Sequence, residues 1–199
     1  SSSSAASDVY KRQNLLWNNN FSVTNSHESL GWSVDVSYDG SIIATGIPYI
    51  HSNGNDMGGF IVYTYNSELS TYEETLMELT YKTSTNGNNG QNQKDGYSIA
   101  ISADGTTILL GCVEWDLAGS NGVNRGRTTV YYQANADWSS SYTIPTYIYG
   151  KDKNTYFSEH LMIAKSTIDH SNPYITFIGS STRFPSNRGF VEVFHLNLN

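Results

Sequence analysis

Gly31-Trp-Ser-Val-Asp-Val-Ser-Tyr-Asp-Gly40, followed by Ile42-Ile-Ala-Thr-Gly46 and then Gly59-Phe-Ile-Val-Tyr63, is the stretch on which the reading of this chain turns. It recurs as Gly96-Tyr-Ser-Ile-Ala-Ile-Ser-Ala-Asp-Gly105, Ile108-Leu-Leu-Gly111 and Gly126-Arg-Thr-Thr-Val-Tyr131. A looser third version runs through Phe157-Ser-Glu-His-Leu-Met-Ile-Ala164, Ile175-Thr-Phe-Ile-Gly179 and Arg188-Gly-Phe-Val-Glu-Val-Phe194. The glycines that close the second run of each copy are spaced by 111 − 46 = 65 and 179 − 111 = 68 residues.

Each copy reads as several short strands. Trp32, Val34 and Val36 alternate with Ser33, Asp35 and Ser37, the period of two that marks a strand. Asp39-Gly40 between two apolar runs signals a hairpin. Residues 42–46 are apolar on both faces apart from Thr45, as expected of an inner strand covered on both sides, and Ala44 and Gly46 suit a crowded position. A loop over 47–58 leads to a third strand over 59–65. A fourth, over 72–81, carries Glu73, Glu74 and Glu78 and suits an exposed edge. The Asn/Gly tract at 83–93 has linker composition. The same plan restarts at Gly96, with 142–149 as its outer strand, and the third copy stops after its third strand.

A period this long, made of several short strands, predicts propeller blades rather than solenoid coils. The expected fold is all-β, with blades of four antiparallel strands at 30–94 and 95–156 and an incomplete blade at 157–199. Leu15-Leu16-Trp17 and Phe21-Ser22-Val23, within 14–29, fit an outer strand of a preceding or closing blade. Propellers carry roughly four to eight blades, so about three blades predict an open fragment of a larger propeller, further blades lying outside it. Residues 3–13, Ser-Ser-Ala-Ala-Ser-Asp-Val-Tyr-Lys-Arg-Gln, match a sequencing adapter translated in one frame, so 1–13 are set aside as adapter-derived or a tail.

The chain has 11 basic and 18 acidic residues, and removing Lys11, Arg12 and Asp8 leaves 9 − 17 = −8. Scattered basic residues on an acidic chain argue against a nucleic-acid partner. No apolar run is long enough to cross a bilayer, so no membrane insertion is expected in this segment. The single cysteine, Cys112, cannot form an internal disulfide. Only 15% of residues are charged, while Tyr, Ser, Asn, Thr and Gly abound, which fits strands joined by polar turns. The same profile is common in extracellular surface domains, and Asn20-Phe21-Ser22 is a glycosylation sequon.

Leu30-Gly31-Trp32-Ser33-Val34-Asp35-Val36-Ser37, Asp39-Gly40 and Ile43-Ala44-Thr45-Gly46 together resemble the FG-GAP repeat, which also builds integrin alpha-subunit propellers. Gly46-Ile47-Pro48 keeps the Gly-x-Pro ending of the short apolar strand, and Gly189-Phe-Val-Glu-Val-Phe194 keeps the third strand. The third copy lacks the Asp-Gly turn and carries extra residues near 169–173. The resemblance implies a β-propeller repeat protein in an extracellular or cell-surface setting. Many members hold calcium in an Asp-x-Asp-x-Asp-Gly turn. Ser37-Tyr38-Asp39-Gly40 and Ser102-Ala103-Asp104-Gly105 offer one carboxylate each, against the six to eight oxygens calcium takes, so no metal site and no cofactor are expected. Such an aspartate suits hydrogen bonding within its own turn.

The five histidines show no metal-ligand spacing, and His160 falls where Ser33 and Ser98 stand, as a repeat-variant core position. No nucleophile elbow is present, and no catalytic residue is assigned. Functional residues are expected instead in the loops joining second and third strands: Tyr49, His51 and Asp56 in the first copy, Glu114, Trp115 and Asp116 in the second, Arg183 and Phe184 in the third. Exposed aromatics beside polar and charged groups anchor proteins and glycans; alternatively Tyr49, Trp115 and Phe184 cap the core between repeats. The expected function is a non-enzymatic binding or adhesion module for a protein or carbohydrate ligand. The alternatives are a structural spacer in a large surface protein and part of a carbohydrate-active enzyme.

Overall fold

The computed structural model describes residues 29–52, 55–79, 93–116, 124–140, 145–152, 154–165, 174–181 and 189–196. Among them there is no helix, and the strands form three antiparallel sheets of three or four strands with no closed barrel. The first sheet takes β1 (Ser33–Val36) and β2 (Ile42–Gly46). After a short pair of β3 (His51–Ser52) and β4 (Asn55–Asp56), it adds β5 (Gly59–Asn66) and β6 (Thr71–Leu79). The second contains β7 (Asp95–Ile101), β8 (Thr107–Cys112), β9 (Arg127–Tyr132) and β10 (Thr146–Tyr149). The third contains β11 (His160–Lys165), β12 (Tyr174–Ser180) and β13 (Phe190–Leu196). Strands neighbouring in each sheet follow one another along the chain, the β3–β4 pair aside. That pair interrupts the connection read from sequence as a plain loop; strands of two residues show no period. The segments at 1–28 and 80–92, including the outer strand expected within 14–29 and nearly all of the Asn/Gly tract, lie outside the described residues.

The sequence repeat is also a repeat of register. Ser33 pairs with Gly46, Ser98 with Gly111, and His160 with Gly179. The two Asp-Gly turns are built alike. Asp39 Oδ1 accepts from Ser37 Oγ at 2.7 Å, from Ser41 N at 2.9 Å and from Ser41 Oγ at 2.8 Å. Asp104 Oδ1 accepts from Ser102 Oγ at 2.7 Å, Thr106 N at 3.2 Å and Thr106 Oγ1 at 2.8 Å. Gly40 and Gly105 take positive φ values of 74° and 72°, which only glycine adopts without strain. Hydrogen bonds from Ser41 and Ser37 hold the Asp39 carboxyl below its ordinary pKa. Oδ1 of each carboxylate is thus occupied within its own turn.

The sheets stack face to face in chain order. Ile42, Ala44, Phe60 and Val62 of the first meet Ile99, Ile101, Ile108, Leu110 and Tyr131 of the second, closed by Trp138. The other face of the second sheet presents Ala100, Leu109 and Val130 to Leu161, Ile163, Tyr174 and Leu196 of the third. Every residue of β8 is buried, which is why its alternation is lost. Successive sheets are also hooked at their first strands. Ser33 Oγ donates to Gly96 O at 2.9 Å, and Ser98 Oγ donates to Ser158 O at 2.5 Å. Isolated parallel bridges join Gly58 to Asp95 and Gly126 to Phe157.

Each repeat opens with two left-handed residues flanking one other: Ser29 and Gly31, Lys94 and Gly96, Tyr156 and Ser158. In the third copy a serine with φ 78° replaces the glycine, which costs about 1–2 kcal/mol of backbone strain.

His160 keeps the register of Ser33 and Ser98, but it is exposed and not a core position. Ser98 is buried because the third sheet covers it; no described sheet lies beyond the third.

At the hairpin end the second and third sheets are latched. The Tyr174 hydroxyl donates to Asp104 Oδ2 and lies 3.0 Å from Thr106 Oγ1. Burial pushes Asp104 up, but hydrogen bonds from Tyr174, Ser102 and Thr106 outweigh it and hold the carboxyl below its ordinary range. Burial, with the hydrogen bond to Asp104 next, pushes Tyr174 up to about 12. The depressed carboxyl adds stability above pH ~4 that is lost as pH falls through its folded pKa. The raised phenol adds stability below pH ~10 that is lost as pH rises to about 12. Tyr174→Phe is therefore expected to cost about 1 kcal/mol at neutral pH, because the carboxylate is largely solvated. It should also flatten the alkaline limb of a plot of denaturation midpoint against pH. An unchanged alkaline limb overturns the latch.

Candidate functional site

At the strand ends where repeats open, all three sheets contribute to one cleft of about 310 Å³, lined by Tyr49, Lys94, Tyr97, Val113, Glu114, Tyr156, Glu159 and Ser181. Tyr49 comes from the connection after β2, Lys94 and Tyr97 from the opening of β7, and Val113 and Glu114 from the end of β8. Tyr156 and Glu159 precede β11, and Ser181 follows β12. The repeated left-handed opening sets two of these residues, Lys94 and Tyr156, at equivalent places one repeat apart.

The walls are held by ring and charge contacts. The Trp32 ring lies 5.1 Å from Tyr49 edge-on and 5.5 Å from Tyr97. Lys94 Nζ sits 5.4 Å from the Tyr49 ring centre and 2.6 Å from Glu114 Oε1. Glu159 Oε2 accepts from Ser181 N at 2.6 Å, and Asn124 Nδ2 donates to the Tyr156 hydroxyl at 3.1 Å. The cleft thus combines tyrosine rings, one cation and two carboxylates, a set suited to stacking on a flat or saturated ring and hydrogen-bonding its substituents.

Behind this wall lies a buried ion pair. Arg127 Nη2 donates to Asp95 Oδ1 at 3.1 Å and to Oδ2 at 3.0 Å. The guanidinium lies 5.8 Å from the Trp115 ring centre and 4.9 Å from that of Tyr147. Burial alone lowers the Arg127 pKa, and Asp95 beside it more than offsets this, keeping it charged. Cys112 donates to Gln93 O at 2.8 Å, and burial, reinforced by Asp95, pushes its thiol well above the ordinary range. Its side chain is fully buried.

Of the residues singled out from sequence, Tyr49 and Glu114 reach the cleft. Trp115 and Asp116 are only 4% and 5% exposed. Trp115 packs 4.7 Å from Tyr149 and lies beside Arg127, both of the same sheet. His51 and Asp56 are backbone partners in the β3–β4 pair. Arg183 and Phe184 lie outside the described residues. Lys94, Tyr97, Tyr156 and Glu159 were missed. Their signal was the repeat start itself, where Trp32 and Tyr97 follow the opening glycine and Tyr156 stands two residues before the serine that replaces it.

A second hollow, of about 450 Å³, lies at the opposite strand ends and is lined by polar groups including Asn66, Glu68, Glu73 and Asp137. Several are spent locally: Asn66 Nδ2 donates to Glu73 at 2.8 Å, and Ser139 Oγ donates to Asp137 at 2.5 Å. Among the described residues no group of three or more His, Cys, Asp or Glu is placed to hold a metal ion, and no helix is long and apolar enough to cross a membrane.

No model of a known protein family matches the chain. No curated protein sequence matches it either.

Proposed function

We propose that this chain is part of an FG-GAP-type β-propeller, each sheet being one blade, that serves outside the cell or at its surface as a recognition module for a glycan. The observation that carries the reading is the cleft in which Tyr49, Tyr97 and Tyr156 stand with Lys94, Glu114 and Glu159. Tyrosine faces stack on sugar rings, and fixed charged groups hydrogen-bond the hydroxyls. Glu114 is engaged by Lys94, and Glu159 by the Ser181 amide, so both carboxylates are set as fixed wall groups. The propeller part of the reading is supported by the repeated register, the face-to-face stacking in chain order and the serine hooks between first strands.

A glycan array followed by calorimetry on the best ligand tests the reading. Tyr97→Ala and Tyr49→Ala are each expected to weaken binding at least tenfold, about 1.4 kcal/mol, with the melting curve little changed. Binding that survives both substitutions removes the glycan from this cleft, and no glycan bound at all leaves a protein ligand or the structural spacer. The second reading, a carbohydrate-active enzyme, draws on the presence of two glutamates in one cleft. Turnover of a bound oligosaccharide that Glu159→Gln abolishes would decide for it.

A further inference from the structure

The cleft is where two repeat openings confront each other, and they bring different chemistry. The second repeat supplies Lys94 and Tyr97, and the third supplies Tyr156 and Glu159 at the equivalent places. A cation and a ring thus meet a ring and a carboxylate.

The charges do not balance. Lys94 Nζ lies 2.6 Å from Glu114 Oε1 and 5.4 Å from the Tyr49 ring centre, so its charge is already met by a carboxylate and a ring face. Glu114 is balanced by the same contact. Glu159 is different. It is half-buried, and its one hydrogen bond comes from the Ser181 amide to Oε2 at 2.6 Å. Among the described residues no cation pairs with it: Lys94 stands on Glu114, Arg127 on Asp95 and Lys151 on Glu192. The ionisable groups lining the cleft sum to 1 − 2 = −1 at neutral pH, with the surplus on Glu159.

A cation brought to such a carboxylate gains a charge-assisted hydrogen bond in a place partly shielded from water. The rings around it suit a cation as well. Tyr97 and Tyr156 are half-buried in the same cleft, and phenol faces attract an ammonium. The Lys94 ammonium against Tyr49 is the cleft's own example of that contact. A sugar carboxylate or sulfate would instead meet the charge of Glu159, with Lys94 already engaged.

We propose, resting on the glycan reading above, that the ligand is a glycan carrying a free amino group, a de-N-acetylated hexosamine. Its ammonium donates to Glu159 while its ring lies among Tyr49, Tyr97 and Tyr156. The amide of an N-acetylated sugar has no charge to offer Glu159, and an acidic sugar is repelled.

Calorimetry at about pH 6, where amines are protonated and glutamates ionised, compares oligomers of glucosamine, N-acetylglucosamine and a uronic acid, all of equal length. The amino oligomer is expected to bind the full chain roughly tenfold or more tightly than its N-acetylated counterpart, and the uronic acid not detectably. Glu159→Gln keeps an acceptor for the Ser181 amide, so the melting curve should hold, while the ratio of the two affinities should fall to about one. Equal affinity of the unaltered chain for the amino and N-acetylated oligomers overturns the amine and leaves the glycan reading standing. So does a preference that survives Glu159→Gln, or a lysine oligomer of equal charge binding as tightly as the amino sugar, which would make the attraction one of charge alone. Tightest binding of the uronic acid overturns it too. Binding of none of the three, with other glycans held on the array, overturns only the amine; an empty array as well removes the glycan reading with it.

Discussion

Asp95→Ala is expected to destabilise the chain by about 3–5 kcal/mol, because it leaves the buried Arg127 guanidinium without its counter-charge. Asp95 is fully buried and Arg127 nearly so, and the pair is joined through both carboxylate oxygens. At roughly 2–4 °C per kcal/mol for a chain of this size, the melting midpoint should fall by about 10 °C. The third repeat shows what the position accepts instead. Phe157 stands where Asp95 does, each bridged to the left-handed glycine of the preceding sheet. Phe190 stands where Arg127 does, each paired with the residue after the closing glycine. Those two phenylalanine rings stack at 6.4 Å. Replacing both members of the ion pair together, by Asp95→Phe with Arg127→Phe, should therefore recover most of the loss. Urea denaturation of the single and double variants measures this, and a double variant no better than Asp95→Ala refutes the equivalence.

Gly46→Ala and Gly111→Ala should be comparably severe for a different reason. Each new methyl meets a backbone carbonyl of the neighbouring sheet at 2.1 Å or 2.5 Å, and the serine hook at 2.4 Å or 2.1 Å. Backbone cannot swing aside as a side chain can, so the sheets must part locally, at a cost of about 3 kcal/mol or more. The control is Gly179→Ala, where the closest atom is 3.5 Å away. There the methyl only restricts the unfolded chain, and the expected change in stability is within about 1 kcal/mol and of either sign. Equal losses at all three glycines would show that strand backbone, not sheet-to-sheet clearance, sets their identity.

The strands and their pairing were legible because the repeat states them two or three times over. The closing glycine, the Asp-Gly turn and the alternation in β1 each recur at matching positions, so Ser33 could be aligned with Ser98 and Gly46 with Gly111, and the structure pairs Ser33 with Gly46 and Ser98 with Gly111. The stacking order was legible in part from β8, whose loss of alternation marks cover on both faces. The cleft was not. Trp115 looked like an exposed loop aromatic because sequence cannot show that Tyr149 and Arg127 close over it. Lys94 and Tyr156 went unnoticed because they border the repeats, where no alternation or turn signal picks them out. The burial of His160 was misjudged because register fixes a position within a sheet and does not tell whether another sheet follows.

The two-sided burial of β8 has a mechanical corollary. The second sheet is clasped by the first through the Ser33 hook and by the third through the Ser98 hook and the Tyr174 latch, whereas the third is clasped on one side only. Under tension applied along the chain, the sheets should surrender one at a time, the third before the second. A force–extension trace of a single molecule should then be a staircase whose first riser is the lowest, with the middle sheet acting as the last anchor.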